Sequence, residues 1–270
     1  MSNRALRQNR FSVLSANLSI YRPEYKDQFM CPACKRIFSK NDLTCISVAH
    51  APPQAVAKKA KFSMIKTLAC SDCDNKMGKE GDRQVDFERG AFDRHKSSPP
   101  SVPAKGGDKV KIDEWIATHL YSALLIMFHR FGYEYVLSPN VDDIRSVING
   151  KGDPLKYNTA IRDIRTVSNS CPYSQPAVCI LTNPIQCFSI EYPMPCDKFV
   201  TRIILLPGFG TSAMESYDRF LQLDPSTQFN PKGDILGFNE FGFLRDHESK
   251  GYGERLWRRC ITANKSSIGP

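Results

Sequence analysis

Met30-Cys31-Pro32-Ala33-Cys34 and Ala69-Cys70-Ser71-Asp72-Cys73 decide how the N-terminal end of this chain folds. Each is a Cys-x-x-Cys pair, and 35 residues separate Cys34 from Cys70. Two residues between cysteines let both sulfurs of a tight turn reach one ion, and two such turns complete a tetrahedral shell of four thiolates. Redox-active Cys-x-x-Cys, the other reading of the spacing, usually comes once, beside a strand-to-helix turn. The doubled motif therefore points to structural zinc held by Cys31, Cys34, Cys70 and Cys73. A four-thiolate shell has no open position, so the zinc stabilises the fold, and chemistry falls to the residues it holds in place.

Between the pairs, Leu43-Thr44-Cys45-Ile46-Ser47-Val48 is apolar and β-branched enough for a strand, which runs into Ala49-His50-Ala51-Pro52-Pro53. After the second pair, Asp74-Asn75-Lys76-Met77-Gly78-Lys79-Glu80 can continue as a short polar helix. The order is knuckle, strand, histidine, loop, knuckle, helix.

This layout, with His-x-x-Pro between the cysteine pairs and Leu-x-Cys-x-x-Cys-x-Asn-x-x-Gly closing it, resembles the zinc-bound branch of the HNH endonucleases over about Met30 to Asp86. The resemblance implies a ββα-metal finger, a β-hairpin packed on a helix around one divalent ion. It also implies His50 as general base of a metal-dependent endonuclease acting on DNA, and a prokaryotic defence or mobile-element role is consistent with the family. The chain departs from the family pattern at Ala49, where most members carry Asp or Glu, and it lacks the common Gly-Gly turn after His-x-x-Pro. Conversely Asp74 stands where the family usually has Asn or His. Asp74, with Asn75 beside it, is the candidate for the carboxylate that Ala49 does not supply. A hard oxygen ligand there favours Mg or Mn as the catalytic divalent metal. The alternative role for Asp74 is to cap the helix.

A histidine suits this chemistry on physical grounds. An imidazole titrates near about 6.5 and can take a proton from water while a divalent ion neutralises charge on the phosphate and the leaving oxygen. Lone histidines are more often structural, but the place of His50 between the knuckles favours function. Lys58, Lys59, Lys61 and Lys66 lie in the stretch before the second knuckle, and Lys76, Lys79 and Arg83 recur at helical spacing after it. These are the candidate nucleic-acid contacts, on both sides of His50. Contacts of this kind are salt-sensitive and indifferent to base sequence.

Charge supports the same partner. The net +9 lies wholly in the N-terminal part, with 20 Lys plus Arg against 11 Asp plus Glu up to Val110 and 17 against 17 beyond it. The break coincides with the stretch 96–108, Lys-Ser-Ser-Pro-Pro-Ser-Val-Pro-Ala-Lys-Gly-Gly-Asp, which reads as a linker. It divides the chain into a basic finger domain, 1–95 with its core at 30–86, and a C-terminal domain, 109–270. With 41% apolar and 24% charged side chains the composition is globular. The longest apolar run, Ala123 to Phe128, is far short of the roughly 20 residues a bilayer helix needs. No membrane partner and no secretory signal are expected, and the reading places the protein in the cytoplasm.

The C-terminal part reads as mixed helices and antiparallel strands, which makes the whole chain α+β. An amphipathic helix is expected from Asp113 to Phe131, ended by Gly132, then helices from Asn140 to Ile148 and from Tyr157 to Val167. Ala177 to Leu181, Ile185 to Ile190 and Phe199 to Leu206 look like a strand meander. Cys171, Cys179, Cys187 and Cys196 have no close pair, so buried free thiols are favoured over a second zinc site. This part is expected to pack, to bind a protein partner or to form a homodimer. Two rivals to the nuclease remain, a catalytically degenerate zinc finger that binds nucleic acid and a protein-interaction module.

Overall fold

A computed structural model describes residues 3–54, 63–78, 112–165, 176–183, 186–193, 200–222, 232–236 and 250–266. It is a mixed α+β fold with three antiparallel sheets among the described residues. The segment read as a linker, 96–108, lies outside them, and the elements on its two sides share one hydrophobic core.

The chain opens with helix α1 (Asn3–Tyr21), which none of the motifs above predicts. Phe11, Leu14 and Leu18 recur at three- and four-residue spacing, and all are buried. Next come a two-residue hairpin, β1 (Phe29–Met30) with β2 (Ile37–Phe38), and a longer ribbon, β3 (Ile46–Ala51) with β4 (Ile65–Cys70). Residues 71–78 form the helix α2 that follows β4. The expected strand from Leu43 begins only at Ile46, because Lys40–Cys45 is a 3-10 turn. Its cap explains the difference: Ser39 Oγ accepts from Asn41 N–H at 3.2 Å, and Asp42 accepts from Ser39 N–H at 2.8 Å. A reciprocal cap of this kind outweighs the weak strand preference of three residues.

Helix α3 (Ile112–Phe131) is central. Amphipathicity predicts one solvent face, yet every residue from Ile116 to Phe131 is buried. The helix packs on β3 and β4 on one side and on strand β8 (Val200–Pro207) of the large sheet on another, so its polar residues are enclosed too. Two of them are satisfied locally: Thr118 donates to Glu114 O at 2.8 Å, and His119 Nδ1 lies 2.7 Å from Trp115 O. Arg202 donates to His119 Nε2 at 2.6 Å, which fixes the tautomer with the proton on Nδ1. Gly132, at φ 61°, ends α3 in a backbone conformation that favours glycine. It leads into α4 (Tyr133–Val136), a 3-10 turn at Pro139–Val141 and α5 (Asp142–Ile148).

The expected helix from Tyr157 to Val167 is instead a 3-10 turn, Pro154–Ala160, followed by strand β5 (Ile161–Arg165). Asp153 caps the turn by accepting from Leu155 N–H, and Ile161 and Ile164 pair with Ile204 and Thr201 of β8 (Val200–Pro207). Pairing with a long apolar strand overrides a helical reading of so short a segment. β6 (Ala177–Asn183), β7 (Cys187–Pro193) and β8 form the expected meander, and β9 (Lys232–Leu236) adds to β6, giving the order β5-β8-β7-β6-β9. Helices α6 (Thr211–Leu221) and α7 (Tyr252–Ser266) pack on this sheet. Gly208 makes the approach of α7 feasible, since a Cβ there would sit 2.1 Å from the buried Trp257 ring.

Glu134 of α4 joins three elements. Its carboxylate accepts the Gly253 and Glu254 N–H groups, each at 2.8 Å, at the start of α7, and the Tyr21 hydroxyl at 3.3 Å. Burial, and then this carboxylate, push the Tyr21 hydroxyl up to about 12. Glu134→Ala is expected to lower the unfolding free energy by about 2 kcal/mol. In hydrogen exchange the Gly253 and Glu254 amides should lose protection first.

Candidate metal centre

The β1–β2 hairpin makes the first knuckle. Cys31 N–H donates to Arg36 O at 2.9 Å and Lys35 N–H to Cys31 O at 3.0 Å, with Lys35 at φ 60° closing the turn. The second knuckle joins Cys70, the last residue of β4, to Cys73 in the first turn of α2. The two meet so that the sulfurs of Cys31, Cys34, Cys70 and Cys73 all lie within 4.8 Å of one another. The expected four-cysteine cluster is therefore formed, and its donor set can hold a structural zinc.

Charge at this cluster is managed by nearby donors. Cys70 N–H points at Cys31 Sγ at 3.4 Å and Cys73 N–H at Cys70 Sγ at 3.5 Å. Arg36 donates to Cys70 Sγ at 3.1 Å, to Cys34 Sγ at 3.4 Å and to Asp72 at 2.7 Å. Hydrogen bonding from Cys31 holds Cys34 and Cys70 below the ordinary thiol range, and Arg36 adds to this at Cys34. Cys31 and Cys73 are pushed up by their crowded sulfur neighbours, Cys34 first for Cys31 and Cys31 first for Cys73.

The first knuckle is also gripped by residues that follow α3. The Tyr133 hydroxyl accepts from Met30 N–H at 2.9 Å and donates to Met30 O at 2.7 Å. Arg145 Nε donates to Pro32 O at 2.8 Å and Asn149 to Ala33 O at 3.0 Å. No spacing rule links these residues to Cys31, so sequence reading had no signal for them.

His50 is half-buried on β3, directly across from Lys66 on β4, so both side chains lie on one face of the ribbon. Ser47, Ala49 and Ala51 lie on the other face, with Ala69, Thr67 and Ile65 opposite them. The Ser47 hydroxyl on that second face donates to Ser71 Oγ of α2 at 3.1 Å. Asp74, also on α2, is half-buried; burial pushes its carboxyl up, and the nearby Ser47 hydroxyl opposes the shift. The helix starts at residue 71, so Asp74 is interior to α2 and does not cap it. Asn75, Lys66 and Lys76 are exposed, whereas Lys58, Lys59, Lys61, Lys79 and Arg83 lie outside the described residues. Among the described residues the four cysteines are the only group of three or more His, Cys, Asp or Glu placed to share an ion.

Cys179 and Cys187 are free thiols buried in β6 and β7, as expected, and Cys171 and Cys196 lie outside the described residues. No described helix is long and apolar enough to cross a membrane. No family model, curated protein or solved structure matches the chain.

Two outcomes follow from the geometry. The purified chain should carry one zinc, and stripping it with a chelator should unfold the β1–β2 hairpin and expose Phe29, read as loss of near-ultraviolet circular dichroism. Arg36→Ala should weaken zinc binding by about 10- to 100-fold, the cost of losing an outer-shell partner, in competition with a chromogenic chelator.

Proposed function

We propose that the protein is a metal-dependent HNH-type endonuclease acting on DNA, with His50 as general base. The observation that carries this reading is the cross-strand pair of His50 and Lys66, on a ribbon whose end is fixed by the cysteine cluster. An imidazole beside an exposed ammonium group is suited to a phosphodiester: the lysine attracts the phosphate and the neutral imidazole takes the proton of the attacking water. Lys66 and Lys76 make no ion pair among the described residues, whereas Lys35 and Arg36 are already paired with Asp142 and Asp72. Of the two, Lys66 stands directly across from His50.

In-line displacement at phosphorus requires the base and the charge-stabilising group on opposite sides of the phosphate. A Mg or Mn ion, when bound, would neutralise the leaving 3′ oxygen. Three protein ligands are not needed, because Mg commonly keeps most of its waters and takes one or two carboxylates plus the substrate phosphate. Asp74 is the carboxylate available, with Asn75 beside it.

Ala49 favours a second reading. It is fully buried where the resemblance implies an acidic ligand, which fits a finger that binds nucleic acid without cutting it. Plasmid cleavage at low salt with Mg or Mn separates the two. The nuclease reading expects nicking or linearisation by the wild type, at least a 100-fold loss in His50→Ala, and loss of metal-dependent cleavage in Asp74→Ala, with zinc retained in all three. Retardation of the plasmid without cleavage by any of them would establish the binding module instead. In either case Lys66→Ala and Lys76→Ala should each weaken DNA binding and reduce its salt dependence.

A further inference from the structure

A cavity of about 230 Å³ lies where α2, α3 and the end of α5 meet. Its walls are apolar: Met77 of α2, Ala117 of α3 and Val147 and Ile148 of α5 line it, and all four are buried. Charge enters the lining only through Lys76 from α2 and Asp113 and Glu114 from the first turn of α3. Lys76 and Asp113 are exposed, which places them at the mouth of the cavity.

Most donors of this lining are already used. Thr118 donates to Glu114 O at 2.8 Å, the Gly150 and Gly152 N–H groups donate to Val147 O and Ser146 O at 2.9 and 3.1 Å, and Glu114 is engaged elsewhere. Lys76 and Asp113 differ: they line one cavity with opposite charges, yet neither makes an ion pair among the described residues. They stand too far apart to pair with each other. One ammonium and one carboxylate are therefore left uncommitted at the exposed mouth of an apolar cavity.

The complement of such a site is a molecule with both charges at one end and an apolar chain at the other. A simple anion on Lys76 would meet the like charge of Asp113, and a simple ammonium on Asp113 would meet that of Lys76. A divalent ion would find one uncommitted carboxylate among apolar side chains, a poor set for a hard cation that takes six or more oxygens. At about 30 Å³ per water the volume holds about eight waters, which suits a short aliphatic chain and the head group beside it. We propose that this cavity binds a free α-amino acid with an apolar side chain, its carboxylate on Lys76, its ammonium on Asp113 and its chain against Met77, Ala117, Val147 and Ile148. The proposal stands on the cavity and does not depend on the nuclease reading.

Calorimetric titration and thermal shift of the zinc-loaded full chain with L-valine, L-leucine, L-isoleucine and L-methionine test this with no nucleic acid present. At least one of these is expected to bind at a single site and raise the melting temperature, and to do so more tightly than L-serine or L-glutamate. For whichever binds best, the acid lacking the amino group and the amine lacking the carboxylate separate the two charges; for leucine these are 4-methylpentanoate and 3-methylbutylamine. Each is expected to bind about tenfold more weakly than the amino acid. Both residues at the mouth are exposed, so Asp113→Asn and Lys76→Gln leave the fold in place. Asp113→Asn should weaken the amino acid about tenfold without weakening the acid analogue, and Lys76→Gln should weaken it about tenfold without weakening the amine. Failure of all four amino acids to bind the wild type at millimolar concentration would overturn the proposal. So would binding that neither substitution weakens, which would put the ligand elsewhere on the molecule. An amine that binds as tightly as the amino acid, with Lys76→Gln silent, would make this a site for an organic cation and overturn the proposed class, as would the mirror result for the acid and Asp113→Asn.

Discussion

Four sulfurs within 4.8 Å of one another cannot all be thiolates unless a cation sits among them, and much of the N-terminal structure answers that requirement. Closing the cluster ties a hairpin near residue 31 to a ribbon and helix near residue 70, so a short two-strand unit gains a fixed end that its own pairing could not give. A zinc tetrathiolate still carries two negative charges. The Arg36 guanidinium and the Cys70 and Cys73 amides lie against its sulfurs, and Arg145, almost fully buried, feels the Cys31 charge as well. The pairing of Arg36 with Asp72 then holds that guanidinium in place across the second knuckle.

The same cluster explains why α4 and α5 cannot be peeled away without cost. Tyr133, Arg145 and Asn149 satisfy the backbone of Met30, Pro32 and Ala33, groups that a two-residue strand leaves partly unpaired. Asn17 of α1 accepts from Tyr133 N–H at 2.8 Å, which locks the N-terminal helix into the same arrangement. Helix α3 lies between the ribbon and the large sheet, so its hydroxyls and imidazoles are enclosed by the packing, and Thr118 and His119 bond back to the helix's own carbonyls.

What was legible in the sequence was local. The two Cys-x-x-Cys pairs identify the metal cluster because sulfur spacing is a local geometric rule, and the meander strands follow from apolar runs separated by Asn-Pro and Pro-rich breaks. Where a capped turn competed with β-branched residues, at Lys40–Cys45 and Pro154–Ala160, strand and helix readings both failed, since caps act through one side-chain bond that a periodicity count ignores. The apolar spacing of Phe11, Leu14 and Leu18 was readable but sits in a segment rich in Arg and Asn, which hides it. The contacts of Tyr133 and Arg145 with the first knuckle cross more than 100 residues of chain, and no spacing rule reaches them.

The ribbon also changes how the charge count should be read. The formal +9 assigned to the N-terminal part counts Lys, Arg, Asp and Glu, and it omits the two negative charges of a zinc-bound cluster. Arg36 is spent on that cluster and Lys35 on Asp142, so neither contributes much field to solvent. The cations left exposed among the described residues of the ribbon and α2 are Lys66 and Lys76, one on each side of the second knuckle in sequence. The electrostatic footprint is therefore narrower than the composition implies. Lys66 sits across from His50, so on the proposed reading a phosphate drawn to Lys66 is drawn toward the imidazole, and affinity and chemistry depend on the same few side chains.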